Sequence, residues 1–309
     1  MTLSPKNCFS LHGLTLRSGW PLPTWVPKAA SPRRVDFEIQ AGKVEAQLSG
    51  ATRLSPLIQV SGSSFQLEVP DVARYLVESG KRITVESQQP VGADLQDANL
   101  FLFRRAIPAL MLQRGYLPID SCAVELPAGV TLLCGHSASG KSSLAAILQS
   151  RGCRVLGDDI VYLSPSIDKV VIRPGLPWLT LWSDVLELLE LSCDESWQTR
   201  SAHNEASERF QVPLATPQTD FKAPKQIVLL KHFNEDQMAT DSVTDQEREF
   251  DLFGCCPLRQ FVASMGRLDS TALLIGTCVQ QCDFMQISIP SMPVSKARLE
   301  ELADVVLRG

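Results

Sequence analysis

GHSASGKSS, residues Gly135 to Ser143, sets a lysine and two serines behind a pair of glycines, with an apolar run before it and a helical pattern after it. Gly135, Gly140, Lys141 and Ser142 satisfy G-x-x-x-x-G-K-[ST]. In that pattern successive backbone N–H groups make a concave nest for anions, the lysine reaches terminal phosphates and the hydroxyl ligates Mg²⁺. Chance would produce the pattern in about one chain of this length in a hundred, so its flanks decide the reading. VTLLC reads as a buried strand and SSLAAILQSRG as a helix, which puts the loop where a helix N-terminus and its dipole favour phosphate. A flexible connector needs neither flank. The expected nucleotide cradle is therefore Gly135, His136, Ser137, Ala138, Ser139, Gly140, Lys141, Ser142 and Ser143, for ATP with Mg²⁺. His136 contributes its backbone N–H there rather than its ring.

The residues that follow extend the site. A helix of about ten residues at ~1.5 Å each travels roughly 15 Å away from the loop, and the strand CRVLG, Cys153 to Gly157, returns roughly 16 Å at ~3.3 Å per residue. A right-handed crossover brings this strand back parallel to the first. The acidic pair Asp158-Asp159 at its carboxyl end then lies beside the nucleotide. Two carboxylates in that place have a use: one holds Mg²⁺ and the other takes the proton of an attacking hydroxyl. Asp often simply ends a strand in a turn, but beside a phosphate-type loop the functional reading is the stronger one.

The rest of the chain sets the frame. Its 309 residues exceed the usual single-domain size, so one small and one large domain are expected, here residues 1–95 and 96–309. Hydrophobic residues make up 44% and charged residues 20%, ordinary for a globular protein, and the net charge of -5 argues against nucleic acid as a partner. Nine cysteines without a CxxC pair read as reduced, buried thiols. With no continuous apolar segment at the start and no run of 18 apolar residues later, the expectation is a cytoplasmic protein without membrane association.

VDFEI (35–39) and FQLEV (65–69) alternate as half-buried strands, and RYLVESGKRITVE (74–86) reads as a hairpin turning at Ser79 and Gly80. DANLFLFRRAIPALMLQRG reads as a helix capped by Asp97 and kinked or restarted by Pro108. Downstream, SDVLELLEL is a capped helix, KQIVLLKHF a buried strand, and SKARLEELADVVL an amphipathic helix. The polar, acidic stretch 234–249 reads as a solvated loop.

GHSASGKSSLAAILQSRGCRVLGDD resembles the core of the HPr kinase/phosphorylase family, whose members carry G-x-S-G-x-G-K-S followed by R-G-H-R-L-V-A-D-D at the same spacing. Asp158 follows Gly135 by 23 positions, as in that family, and Arg151-Gly152 falls in register. The resemblance covers residues 116–165. It implies an α/β fold, a P-loop kinase core of HPr kinase type behind a small N-terminal β-rich domain. Within the family the chain looks most like the shorter HPr-kinase-related proteins found with ribosomal peptide clusters, including the lasso-peptide precursor kinases. The cues are the β-rich leader, the hydrophobic helix before LPIDSCAVEL, Ser143 where HPr kinases proper have glutamate, and the lack of an EIRG element. By resemblance Asp158 is the base, Asp159 joins Ser142 at the metal, and the acceptor is a Ser/Thr hydroxyl of a peptide or small protein. The family's tendency to self-associate leaves a homo-oligomer open.

Two departures matter. Asp120 stands where the family has histidine, and a carboxylate near phosphate oxygens is repulsive unless a cation intervenes. Ala138 stands for a loop glycine, which alanine replaces readily if φ there is negative. Arg209 and Arg259 are candidate phosphate clamps or surface ion-pair partners. Trp178 and Trp182 could face a peptide, although such aromatics usually pack cores. Residues 192–208 read as a loop over the site or a plain connector. The rival reading is a nucleotide-binding module that switches a partner without transfer. A GTPase or transport ATPase fits poorly, because no NKxD or LSGGQ element is present and the acidic pair starts 17 residues past the lysine.

Overall fold

In the computed structural model, the described residues are 7–30, 34–90, 92–191, 198–199, 209–214, 220–233, 238–290 and 295–308. In chain order the strands and helices are β1 (Cys8–Leu11), β2 (Leu14–Ser18), β3 (Phe37–Ala41), β4 (Thr52–Ser55), β5 (Ile58–Ser61), β6 (Ser64–Val69), β7 (Ala73–Glu78), β8 (Arg82–Ser87), α1 (Gln96–Phe101) and α2 (Ile107–Gln113). Then come β9 (Leu117–Leu126), β10 (Gly129–Gly135), α3 (Lys141–Ser150), β11 (Arg154–Gly157), β12 (Ile160–Pro165), β13 (Val170–Ile172), β14 (Trp178–Trp182) and α4 (Ser183–Leu188). The remainder is β15 (Gln198–Thr199), β16 (Arg209–Pro213), β17 (Pro224–Phe233), β18 (Ala239–Asp241), α5 (Asp245–Gly254), α6 (Arg259–Ser264), α7 (Leu268–Gln281), β19 (Asp283–Pro290) and α8 (Lys296–Arg308). The fold is mixed α/β with two large sheets. None of the described helices is long and apolar enough to cross a membrane.

The chain forms two compact units, Met1–Pro118 with Leu258–Thr271, and Ile119–Pro257 with Ala272–Gly309. The first holds an eight-stranded sheet in the order β1-β2-β3-β8-β7-β6-β5-β4. The hairpin turns where the sequence places it, with Ser79 and Gly80 at φ 52 and 65. Where a boundary after residue 95 was expected, the first compact unit runs on to Pro118 and takes in α2, whose seven residues are all buried. The Tyr75 hydroxyl donates to Ala98 O at 2.6 Å, and Gln113 Oε1 accepts from Gly80 N at 2.6 Å, stitching the helices to β7 and its turn. Asp97 lies in the first turn of α1 rather than at its cap. The helix does change at Pro108, but as a π-helical turn over Leu102–Ala106 just before α2. Proline has no N–H for the carbonyl four residues back, and the ladder widens around that loss.

The second unit is built on the sheet order β13-β12-β9-β10-β17-β19-β18, with β11 also paired to β9. β10, β17 and β19 run parallel. Their apolar runs VTLLC and IVLL suit strands covered on both faces. β11 pairs antiparallel with β9, and β9 antiparallel with β10, so β11 runs parallel to β10 with β9 between them. α3, α4, α8 and β14 share one buried core with β10, β11, β17 and β19. Ser183 is the first residue of α4, with Trp182 at the cap position. The stretch expected as a solvated loop holds β18 and the start of α5, whose Thr244 and Glu247 form a reciprocal capping box. The described cysteines are free thiols, and all but Cys153 are buried; Cys193 lies outside the described residues.

One close approach positions the site. The backbone of Gly157, at the end of β11, crosses that of Gly175: a Cβ on Gly175 would stand 2.5 Å from Gly157 Cα and 2.9 Å from Leu156 O. Only glycine lets β11 deliver Asp158 against the segment leading into β14. Gly175→Ala should cost about 3 kcal/mol in denaturant unfolding, as an overpacked core contact does, with no compensating change at neighbouring surface positions.

Candidate functional site

β10 ends at Gly135, whose φ of 149 suits glycine. A Cβ there would lie 2.6 Å from Leu230 O on β17 and 2.7 Å from Ser139 Oγ, so the loop leaves the strand through a gap with no room for a side chain. The turn closes with Ser139 N donating to His136 O at 3.1 Å, and Gly140 enters α3 at φ 86. Ala138 sits at φ 66 rather than at the negative value that would make it an easy replacement for glycine, a strain of about 1 kcal/mol. His232, at the end of β17, approaches Ala138 O with Nε2 at 3.2 Å and props the loop from outside.

The first turn of α3 is tied at two adjacent residues. Lys141 is 7% exposed. Its Nζ donates to Gly135 O and His136 O, each at 2.8 Å, and pairs with Asp120 Oδ1 at 3.1 Å. Asp120 is itself pinned on β9, where its N–H donates to Cys255 O at 2.8 Å. The cation that the sequence required beside Asp120 is therefore the loop lysine. Ser142 Oγ donates to Asp158 Oδ1 at 2.9 Å. Asp158 Oδ2 accepts from Thr180 N of β14 at 2.8 Å.

Asp158 is 1% exposed, and its carboxyl is pushed up to about 6, first by burial and then by the neighbouring Asp159 charge. The hydrogen bonds from Thr180 N, Asp159 N and Ser142 Oγ pull the other way without cancelling these. Asp159 takes a left-handed φ of 73, which Asp tolerates better than most residues. This left-handed residue stands at the junction between β11 and β12.

A cleft of about 250 Å³ gathers residues 137–143, Asp120, Asp158 and Asp159 with a wall from β14, α4 and β16: Thr180, Leu181, Trp182, Asp184, Val185 and Arg209. Gly135 and His136 serve through their carbonyls on Lys141. Of the two tryptophans, Trp178 is core while Trp182 lines the cleft with the Arg209 guanidinium 3.9 Å over its ring. Arg259 belongs to the other unit. The loop expected over the site lies outside the described residues except for β15. Sequence reasoning missed Thr180 and His232, whose only signal is their place in two apolar strands.

No protein-family model matches this chain, and no curated protein matches it. Among solved structures it is similar to the Hpr(Ser) kinase/phosphatase from Coxiella burnetii, at 11% identity over 62% of this chain and 90% of that one, with a TM-score of 0.27. So slight a likeness settles neither fold nor activity, and the site is read from this chain's own residues.

An acid whose folded value lies above its unfolded value supports folding only while protonated. The Asp158 contribution is thus present below the ordinary 3.8 and lost as pH climbs through about 6. The ceiling on that loss is about 3 kcal/mol. Asp158→Asn should therefore stabilise the protein by about 1–3 kcal/mol at pH 7.5, and hardly at all near pH 3.5, in denaturant melts with EDTA present.

Proposed function

We propose that the protein is an ATP- and Mg²⁺-dependent kinase, built on a P-loop core of HPr kinase type, that transfers the γ-phosphoryl group to a serine or threonine hydroxyl of a peptide or small protein in the cytoplasm. The observation that carries this reading is the Asp158 carboxylate. It is held at 2.9 Å from Ser142 Oγ at the loop's helix and at 2.8 Å from Thr180 N on the opposite wall, with its carboxyl raised to about 6. A base poised between the phosphate side and the acceptor side, and titrating near neutrality, is what hydroxyl activation needs.

The residues present suit the nucleotide and its metal. Gly135 keeps the cradle free of a side chain, and the Ser139 hydroxyl is buried without a hydrogen-bond partner among the described residues. Ser142 and the aspartates supply the hard oxygen donors that Mg²⁺ takes alongside phosphate oxygens. Mg²⁺, when bound, would supply positive charge that offsets the phosphate charge. Backbone N–H groups of residues 136–142 cradle the phosphates, and Lys141 turns from its carbonyl partners to the β and γ groups. Ser142 and Asp159 would hold the metal. Asp158 accepts the hydroxyl proton as the acceptor oxygen bonds phosphorus and ADP departs. Trp182 and Arg209 form the wall against which the acceptor lies.

The switch module without transfer draws support from one observation, the Asp120 carboxylate on Lys141. Labelled γ-phosphate separates the two readings. The kinase should label a serine- or threonine-bearing peptide in Mg²⁺. Asp158→Asn should lose about a hundredfold or more in transfer while nucleotide affinity stays within about threefold, and Lys141→Ala should weaken nucleotide binding itself. Full transfer by Asp158→Asn would remove it as the base, and tight ATP binding with no labelled acceptor among peptides and free serine favours the switch.

A further inference from the structure

Lys141 is the only cation in the loop, and its three ammonium donors already have three oxygen partners: Gly135 O, His136 O and Asp120 Oδ1. Two of these are backbone carbonyls that belong to any loop of this shape. The third was chosen by the sequence. Asp120 is no casual surface contact, because β9 and the bond from its N–H to Cys255 O hold its backbone in place, and its side chain is 33% exposed at the cleft. Around the same cleft stand four carboxylates, Asp120, Asp158, Asp159 and Asp184, against two cations, Lys141 and Arg209. A polyphosphate anion entering alone meets a lysine whose charge is already balanced and a surrounding excess of negative charge.

We propose that Asp120 is a selectivity residue which, by neutralising Lys141, makes the loop accept a nucleoside polyphosphate together with its divalent cation and refuse the bare anion. This rests on the reading of the loop as a phosphate site, and it assigns to Asp120 a role in choosing the ligand's charge state rather than in the chemistry. A phosphate oxygen bound on the far side of Lys141 would stand about 6 Å from Asp120, two charge-assisted contacts of about 3 Å end to end. At an effective dielectric of about 40, one unit charge at that distance changes affinity by about tenfold. A divalent cation brought with the nucleotide offsets most of that repulsion. A neutral side chain at position 120 removes it at the source.

The test is calorimetric titration of ATP into the full chain, in excess Mg²⁺ and in EDTA, for the wild type, Asp120→Asn and Asp120→Ser. The wild type should bind about tenfold or more tighter with Mg²⁺ than in EDTA. Asp120→Asn should gain about tenfold in EDTA and change less than about threefold in Mg²⁺, so the metal dependence collapses. Asp120→Ser should follow it, which keeps the inference open to refutation should the Asn variant fail to fold. Wild-type-like affinity of the folded variants in EDTA overturns the role of Asp120 while leaving the kinase reading intact. So does a wild type indifferent to Mg²⁺. Absence of ATP binding by every form, with and without Mg²⁺, overturns the phosphate-loop reading and this inference with it.

Discussion

A carboxylate buried to 1% exposure is an expensive object, and the second unit is organised around the one at Asp158. It survives because three donors converge on it, from the first turn of α3, from the edge of β14 and from its own chain neighbour. Each donor depends on a separate structural decision. Ser142 is in reach because Gly140 starts α3 in a left-handed turn. Thr180 N is in reach because Gly157 and Gly175 let two backbones pass within a distance that any Cβ would forbid. Even so, the bonds leave the carboxyl raised, so the ionised form of Asp158 is held at a cost in stability.

What the sequence made legible follows from locality. A motif of eight residues, the helix behind it and the strand behind that are short enough for rise per residue to decide where Asp158 falls, and the contact with Ser142 bears the arithmetic out. Alternation of apolar and polar residues located β3, β6 and the β7–β8 hairpin, although polar members of that pattern such as Gln66 and Thr84 are themselves buried. β1, β4 and β5 are four residues each and escaped notice, since so short a run gives alternation no time to show. The insertion of β9 between β10 and β11 is a non-local pairing, and nothing in CRVLG itself says which neighbour it will take. The helices α1 and α2 announced that they would be buried without saying under which sheet. The capping box at Thr244 and Glu247 was readable, but the acidic composition around it pointed to solvent instead.

At the cleft, the loop and several charged or aromatic residues could be named in advance from the sequence, whereas Thr180 and His232 could not. Thr180 matters through its backbone N–H, which no side-chain motif can flag. Ala138 shows the converse limit. The residue type was visible, yet whether alanine is harmless there turned on a φ of 66, a property of the closed loop rather than of the letter. Asp120 stood out in the sequence as a misplaced charge, and only the fold supplied the partner that lets it stay.

Two adjacent residues of α3 are thus tethered separately, Lys141 to Asp120 on β9 and Ser142 to Asp158 just past the end of β11. A helix N-terminus held at two points has little freedom to swing, so on the kinase reading little ordering remains to be done on binding. The two tethers differ in what they ask of that ligand. The Ser142 bond is shared with a carboxylate and leaves oxygen donors facing the cleft, which suits a hard cation. The Lys141 pair has to be loosened before the ammonium can reach a phosphate. Preorganised geometry and a balanced charge together favour a ligand that fits the nest and carries its own positive charge, and disfavour anions that offer charge alone.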